Sequence, residues 1–395
     1  MLKLKVQDLA RTHHAEVIGF RRHLHMHPEL SFQEAQTSQY IREYLKVLEI
    51  PFIADIAGHG IIGLIEGRKP DAHVVALRAD MDALPIQEQN DVPYRSRRDG
   101  IMHACGHDVH TASLMGAAAI LSRLRTEFDG TVKLIFQPAE EKLPGGASLM
   151  IEAGALKDPE PSAIIGQHVH PPLEVGKVGF RSGEAMASAD EITLRVSGKG
   201  GHGAMPHLTV DPVVIAAQIV TALQTIVSRS ADPLIPTVLT FGKIASDGGA
   251  FNIIPDAVEI IGTFRTFGED WRRRAHAQIR SVAMGIAEAS GGHCEVTIDV
   301  GYPVLINDQE LTARSRAAAC EYLGDEHVVD LPQRLTSEDF AFYTHEIPGC
   351  FYRLGVGNQA KGITSSVHTP LFDIDEEALM TGAGLLAWLA ITELA

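Results

Sequence analysis

DEITLRVSG (190–198), DPVVIAAQIVTALQTIV (211–227), PTVLTFGKI (236–244), AVEIIGTFRTF (257–267), WRRRAHAQIRSVAMGIAEA (271–289) and CEVTIDV (294–300) succeed one another along the chain. The first alternates apolar and polar side chains, as a half-exposed strand does. The third, fourth and last are rich in β-branched residues and read as strands too. The second and fifth read as helices, the fifth rich in arginine. The order is β-α-β-β-α-β, the split βαβ or ferredoxin-like arrangement, one sheet with two helices on one face.

Outward from this unit the texture differs. On its N-terminal side HVVALRAD (73–80), TVKLIFQP (131–138) and AIIGQHV (163–169) read as buried strands, and HTASLMGAAAILSRLR (110–125) as a helix packed on its small-residue face. Strands separated by helices predict βαβ units in a largely parallel sheet covered on both sides. Residues 2 to about 48 read mainly as two helices, broken at Pro28 in HLHMHPEL (23–30). Beyond about 300, helical and strand segments resume and end in the helix EEALMTGAGLLAWLAIT (376–392). The fold class is α/β, with a host domain (1–184 and 300–395) around a central, largely parallel sheet. A ferredoxin-like α/β domain (185–299) is inserted in it. A length of 395 residues also favours two cores over one.

The chain carries 34 basic and 50 acidic side chains, a formal net charge of −16. That balance argues against nucleic acid or an anionic membrane as the main partner. Cys105, Cys294, Cys320 and Cys350 are far apart and form no CxxC pair, so a disulfide framework is not expected and a reducing compartment is. The stretch MLKLKVQDLARTHHAEV has charges at helical spacing where a signal peptide has an apolar core, and no run of 18 apolar residues occurs. A cytoplasmic location is the expectation.

Histidines stand beside carboxylates at the ends of the predicted strands, where ligands gather in open α/β sheets. The segments are Arg78-Ala79-Asp80-Met81-Asp82, His103-Ala104-Cys105-Gly106-His107-Asp108, Gln137-Pro138-Ala139-Glu140-Glu141 and Gln167-His168-Val169-His170, with Val367-His368-Thr369-Pro370 in a late loop. Each alone has an ordinary explanation. A lone strand-end His is usually a hydrogen-bonded structural residue, Asp80 and Asp82 are turn formers, Glu140 and Glu141 a solvated pair, and Cys105 a small buried hydrophobe. Their recurrence at equivalent topological positions outweighs those readings. The mixture of Cys, His and Glu suits Zn²⁺, with Mn²⁺, Co²⁺ or Ni²⁺ as alternatives. The donors are too many for one tetrahedral ion, and a pair of cations would use them.

The ordered motifs FRRHLHMHPELSFQE, ALRADMDALPIQE, HACGHDVHT, IFQPAEE, GKGGHGAMPH, FNIIPD, GTFRTF, SEDFAFY and HTPLFD resemble those of the M20 metallopeptidase family, in its amidohydrolase branch. That branch includes N-acyl-amino-acid amidohydrolases, hippurate hydrolases and auxin-conjugate hydrolases. The resemblance covers nearly the whole chain. It implies a dinuclear catalytic domain, here 1–184 and 300–395, and a lid or dimerisation domain, here 185–299.

By the same resemblance Cys105, His107, Glu141, His168 and His368 match the metal ligands, with Cys105 in the bridging place. Glu140 matches the general base, and Asp82 the carboxylate that orients a ligand His. Asp80 stands where the wider family has a ligand His, which leaves its role open. His202 matches a lid residue that reaches the active site of the neighbouring subunit. Asn252 and Arg265 match a clamp for a substrate carboxylate; a strand-end salt bridge is the alternative for Arg265, and its fork, suited to bidentate carboxylate binding, favours the clamp. Two departures stand out: a longer EEKLPGGA loop, and His170 in place of an aromatic, read as a pocket wall more readily than as a ligand.

The resemblance implies hydrolysis of the amide bond of N-acyl-amino acids by a homodimer or homotetramer carrying two divalent metal ions per subunit. Glu140 would take a proton from a water acidified by the cations and return it to the leaving amine. A dipeptidase or carboxypeptidase of the same family is one alternative, and a non-catalytic binding protein on the scaffold is another.

Overall fold

Val74–Asp80 and Thr131–Gln137 are buried at every residue, and Ala163–Glu174 through its first seven. Such unbroken apolar strands need cover on both faces. In the computed structural model, which describes Met1–Ala395, they lie at the middle of an eight-stranded sheet. The strand order is Phe52–Ile56, Gly60–Glu66, Thr131–Gln137, Val74–Asp80, Ala163–Glu174, Gly349–Gly357, Val178–Phe180, Val328–Asp330. The four strands from Thr131–Gln137 to Gly349–Gly357 are mutually parallel. Gly60–Glu66 and Val178–Phe180 run antiparallel to their inner neighbours, so the parallel arrangement expected from the sequence holds at the centre and the sheet as a whole is mixed.

The helices Leu2–Met26, His107–Arg123 and Ala378–Glu393 pack together beside this sheet. His107–Leu121 is buried throughout, and its alanines at 112, 117, 118 and 119 let neighbouring helices come close. Parallel register sets the functional end. Asp80 lies opposite Gln137, and Arg78 opposite Gly166, which brings Asp80 level with His168.

Contacts divide the chain into two units. The first is Met1–Ala185, Ile306–Pro332 and Asp339–Ala395; the second is Met186–Leu305 with Gln333–Glu338. Against the 185–299 span read from the sequence, the second begins one residue later, runs on to Leu305 and takes in Gln333–Glu338. Residues 300–305 stay with it because the Gly301 N–H donates to Asp190 and the Val304 N–H to Glu269. Residues 333–338 join it because Arg334 bridges Met186 and the Leu335 carbonyl accepts from Arg265.

In the second unit four antiparallel strands lie in the order Thr237–Ser246, Ala257–Thr266, Asp190–Ser197, His293–Val300, the ferredoxin-like order. Alternate residues Ile192, Leu194 and Val196 pack with Ile215, Ile219 and Leu223 of the helix Pro212–Thr225 and with Ala275 and Ile279 of Glu269–Ala289. Asp211 caps the first of these helices by accepting from the Val213 N–H. Carried on by a π-turn to Ser230, that helix is long and apolar enough to cross a membrane by length and composition. Its Ile215, Ile219, Leu223 and Ile226 are nonetheless part of the sheet's core.

Candidate metal centre

The loop between Asp80 and the helix His107–Arg123 delivers Cys105 and His107 to the carboxyl end of the parallel strands. Gly106 makes this approach close. Its φ is +85°, and a Cβ there would stand 2.6 Å from Val169 Cγ2, beside the strand that carries His168. The Cys105 Sγ is consequently 3.4 Å from Nε2 of His168 and 3.2 Å from Nε2 of His368. His368 Nε2 is also 3.2 Å from Oε1 of Glu141. The backbone of His368 sits at φ +61°, a left-handed conformation held by its own N–H donating to the Ala104 carbonyl at 2.7 Å.

Two donor sets result, each with its ligand atoms within 4.8 Å of one another: Cys105, His107 and His168, and Cys105, Glu141 and His368. Cys105 belongs to both. The donor chemistry fits divalent cations, since thiolate, imidazole and carboxylate are what a borderline metal takes. Buried His107 Nε2 also has no hydrogen-bond partner, which is costly for a polar atom unless a ligand completes it.

Glu140 and Glu141 follow the strand Thr131–Gln137, and a carboxylate oxygen of each lies within 4.8 Å of the other and of a His107 ring nitrogen. Glu140 Oε2 lies 3.9 Å from His107 Nε2, at the edge of the donor sets. The turn that carries both glutamates is closed by Gly146, whose N–H donates to the Ala139 carbonyl at 2.8 Å. A Cβ at Gly146 would fall 1.7 Å from the Pro138 oxygen, so no other residue fits.

Carboxylates surround the site. Asp82 Oδ1 faces His107 Nδ1 at 3.1 Å, and its two oxygens accept from the amides of Glu140 and Glu141 at 3.0 Å each. Burial works against charge on Asp82, yet His107, Ser31 and the Glu141 amide hold its pKa below the usual carboxylate value. Asp80 is also kept ionised against burial, by His107, His110 and Arg78. Burial disfavours charge on His107 as well, but the charge of Asp80 and the hydrogen bond to Asp82 raise its pKa well above the usual histidine range. Burial, with Arg353 adding to it, keeps His168 neutral. Burial and then Glu141 push the Cys105 thiol up, so without a cation this thiol keeps its proton.

Several participants escape a reading of motifs. His110, one turn after His107, stands 2.6 Å from Asp80. Buried Arg78 donates to Asp80, Gln137 and Asp339 at 2.6–2.8 Å, and Asp339 Oδ2 accepts from the Ala147 N–H beyond the glutamate turn. Glu34 accepts from the Ala139 N–H, with burial first and the Asp82 charge second raising its pKa to about 7. The i,i+3 pair His107 and His110 on one helix face is the available sequence signal for the first of these. His170 is only partly buried and belongs to neither donor set.

The remaining predicted residues lie in the second unit. His202 is exposed on a two-residue ladder with Ile253, and its Nδ1 accepts from the Ala204 N–H at 3.1 Å. In the neutral ring the proton is therefore on Nε2. Asn252, also exposed, holds the Gly203 N–H with its carbonyl at 2.8 Å. Arg265, half-buried, donates to the Leu335 carbonyl at 3.1 Å and lies 3.4 Å from the Ser337 hydroxyl.

The model of peptidase family M20/M25/M40 matches residues 76–392. The chain belongs to this family. It is accordingly a hydrolase of amide bonds. An N-acetylcysteine deacetylase of Bacillus subtilis is 42% identical over 384 residues, 96% of this chain and 97% of that one. An N-acyl-L-amino acid amidohydrolase of Geobacillus stearothermophilus is 46% identical over 310 residues, 78% and 83% of the two chains. Among solved structures, the family resemblance extends to the YXEP protein of Bacillus subtilis, a dinuclear metal-binding peptidase from the M20 family. It superposes with a TM-score of 0.83 at 39% identity, covering 97% of this chain and 99% of that one.

Proposed function

We propose that this protein hydrolyses the amide bond of N-acyl-amino acids, releasing a carboxylic acid and the free amino acid. Two divalent ions, Zn²⁺ or Mn²⁺ in preference to Co²⁺ or Ni²⁺, would be held by Cys105, His107, Glu141, His168 and His368. The observation that carries the reading is the sharing of Cys105 between two donor sets, with Glu140 beside His107. Relatives named for N-acyl-amino acids support the substrate class. When bound, the cations supply Lewis acidity, polarising the carbonyl and acidifying water.

The chain's own groups do the rest. Glu140 accepts the proton of the attacking water on a carboxylate oxygen and returns it to the leaving nitrogen, so one group is base and then acid. Glu140 and its neighbours Asp82 and His107 are buried, which strengthens each of these interactions. His202 would donate from Nε2–H to the oxygen of the tetrahedral species, reaching the site of a neighbouring subunit in a homodimer or homotetramer. Asn252 and the fork of Arg265 would hold the substrate carboxylate. Location in the cytoplasm is part of the same proposal.

The test is a panel of N-acetyl- and N-benzoyl-amino acids and dipeptides, run after reconstitution with each of the four metals. Release of amino acid from the N-acyl compounds with little cleavage of dipeptides is the expected result. The reverse preference would assign a dipeptidase, and no turnover with any metal would leave a binding protein.

A further inference from the structure

Asp80 ends the strand Val74–Asp80 and Asp82 follows two residues later, yet only Asp82 faces a histidine of the two donor sets within hydrogen-bond distance. Asp80 is fully buried, and Arg78 Nη1 donates to its Oδ2 at 2.6 Å. Its other oxygen, Oδ1, is 2.6 Å from Nδ1 of His110. On the far side of that ring, the backbone N–H of Val169 donates to Nε2 at 2.9 Å. A backbone amide can only donate, so Nε2 of His110 is an acceptor and the ring proton is on Nδ1, aimed at Asp80.

Val169 is gripped a second time. Its carbonyl accepts from Nδ1–H of His168 at 2.8 Å. A carbonyl can only accept, so neutral His168 carries its proton on Nδ1 and presents the lone pair of Nε2, the atom 3.4 Å from Cys105 Sγ. Asp80, His110, the Val169 peptide and His168 therefore form a single file of hydrogen bonds whose every donor direction is determined. All four residues are buried.

We infer that His110 is a positioning residue: held in one tautomer by Asp80, it fixes the Val169 peptide and through it the orientation and tautomer of His168. Asp82 does the same for His107 by direct contact, so the two carboxylates serve the two buried histidines, one directly and one through a relay. Outer partners of this kind fix the ring orientation of ligand histidines, though here an imidazole and a peptide intervene. The inference rests on the reading of His168 as a ligand.

The experiment has two arms on the full-length protein. In the metal-free protein with ¹⁵N-labelled histidine, long-range ¹H–¹⁵N correlations read the His110 tautomer; protonated Nδ1 is expected, and protonated Nε2 would overturn the inference. In the second arm cobalt affinity is measured by competition with a chelator for the wild type, His110→Ala, His110→Gln and His168→Ala. His110→Ala should bind cobalt ~10–100-fold more weakly. His110→Gln, whose carbonyl oxygen can accept the Val169 N–H, should regain at least half of that loss on a logarithmic scale. A purely structural role would lower thermal stability in both variants without this recovery, so equal weakness in the two overturns the relay. Wild-type affinity in His110→Ala overturns it as well, provided His168→Ala binds weakly. If His168→Ala itself binds cobalt normally, the ligand reading fails and the relay with it. Should His110→Ala not fold, the tautomer and His110→Gln decide.

Discussion

The carboxylate of Asp82 stands 3.1 Å from Nδ1 of His107 and is the acceptor for four donors in all. His107 and the Glu140 amide address Oδ1; Ser31 Oγ and the Glu141 amide address Oδ2. One buried side chain thus orients a histidine of the donor sets and pins the backbone of both glutamates. An asparagine has the same shape but offers its NH₂ to one pair of those donors. Asp82→Asn is expected to weaken metal binding ~10–100-fold, the loss seen when outer partners of metal ligands are removed. Chelator competition measures it, and an unchanged affinity would show that the four contacts do not hold the site.

Glu140 is outside the two donor sets that share Cys105 but within ligand reach of His107 and Glu141, so its substitution distinguishes a base from a ligand. Glu140→Gln keeps the shape and removes the proton acceptor. Turnover of the best N-acyl-amino acid should fall at least ~10²-fold, the lower end for a lost general base. Metal content by elemental analysis should stay at the wild-type level. A parallel loss of metal would move Glu140 from base to ligand.

The apolar runs of the central strands announce themselves because burial on both faces leaves no alternation to misread. The ferredoxin-like order is equally legible, since periods of two and of 3.6 residues change at each boundary. The antiparallel partners at the sheet's margins are not, because strand direction depends on which chain segments meet, and no local pattern encodes it. The same limit applies at the site. Donor types can be read from Cys105, His107, Glu141, His168 and His368, but the position of His110 between Asp80 and Val169 depends on strand register and helix phase together. Arg78 stands in a legible strand, yet its partner Asp339 lies 261 residues away.

The second unit has its own buried charge cluster. Asp190 accepts from Arg272 Nε at 2.9 Å, His276 Nε2 at 2.7 Å and the Gly301 amide at 3.1 Å, and Glu269 is the other carboxylate on Arg272. Burial opposes charge on Asp190, but His276 and Arg272 outweigh it and lower the pKa. Asp190→Ala leaves Arg272 buried without its main partner and should cost about 3–5 kcal/mol in urea unfolding. The lowered pKa sets the sign of the pH dependence. The stabilisation is fully present above the unfolded aspartate pKa, about 4, and fades as pH falls through the folded one. The gap in urea midpoint between wild type and variant should therefore be widest near neutrality and shrink below about pH 4. A gap that grows on acidification would contradict the assignment.

Gly146 tests how tightly the glutamate turn is built. An added Cβ would meet the Pro138 oxygen at 1.7 Å, and that oxygen belongs to the backbone, so no rotamer relieves the clash. The turn must open, which breaks the bond from the Gly146 N–H to the Ala139 carbonyl and shifts the residues just before Glu140. Overpacking of this kind costs about 3 kcal/mol or more. Gly146→Ala should lower the thermal midpoint and, because Glu141 rides on the same turn, weaken metal binding as well. Gly154 offers the control: its φ is +91°, but nothing lies within 4 Å of an added Cβ. Gly154→Ala should incur only the strain of its backbone, about 1–2 kcal/mol, and keep wild-type metal affinity. If both variants lose stability alike and neither loses metal, the turn is not what positions Glu141.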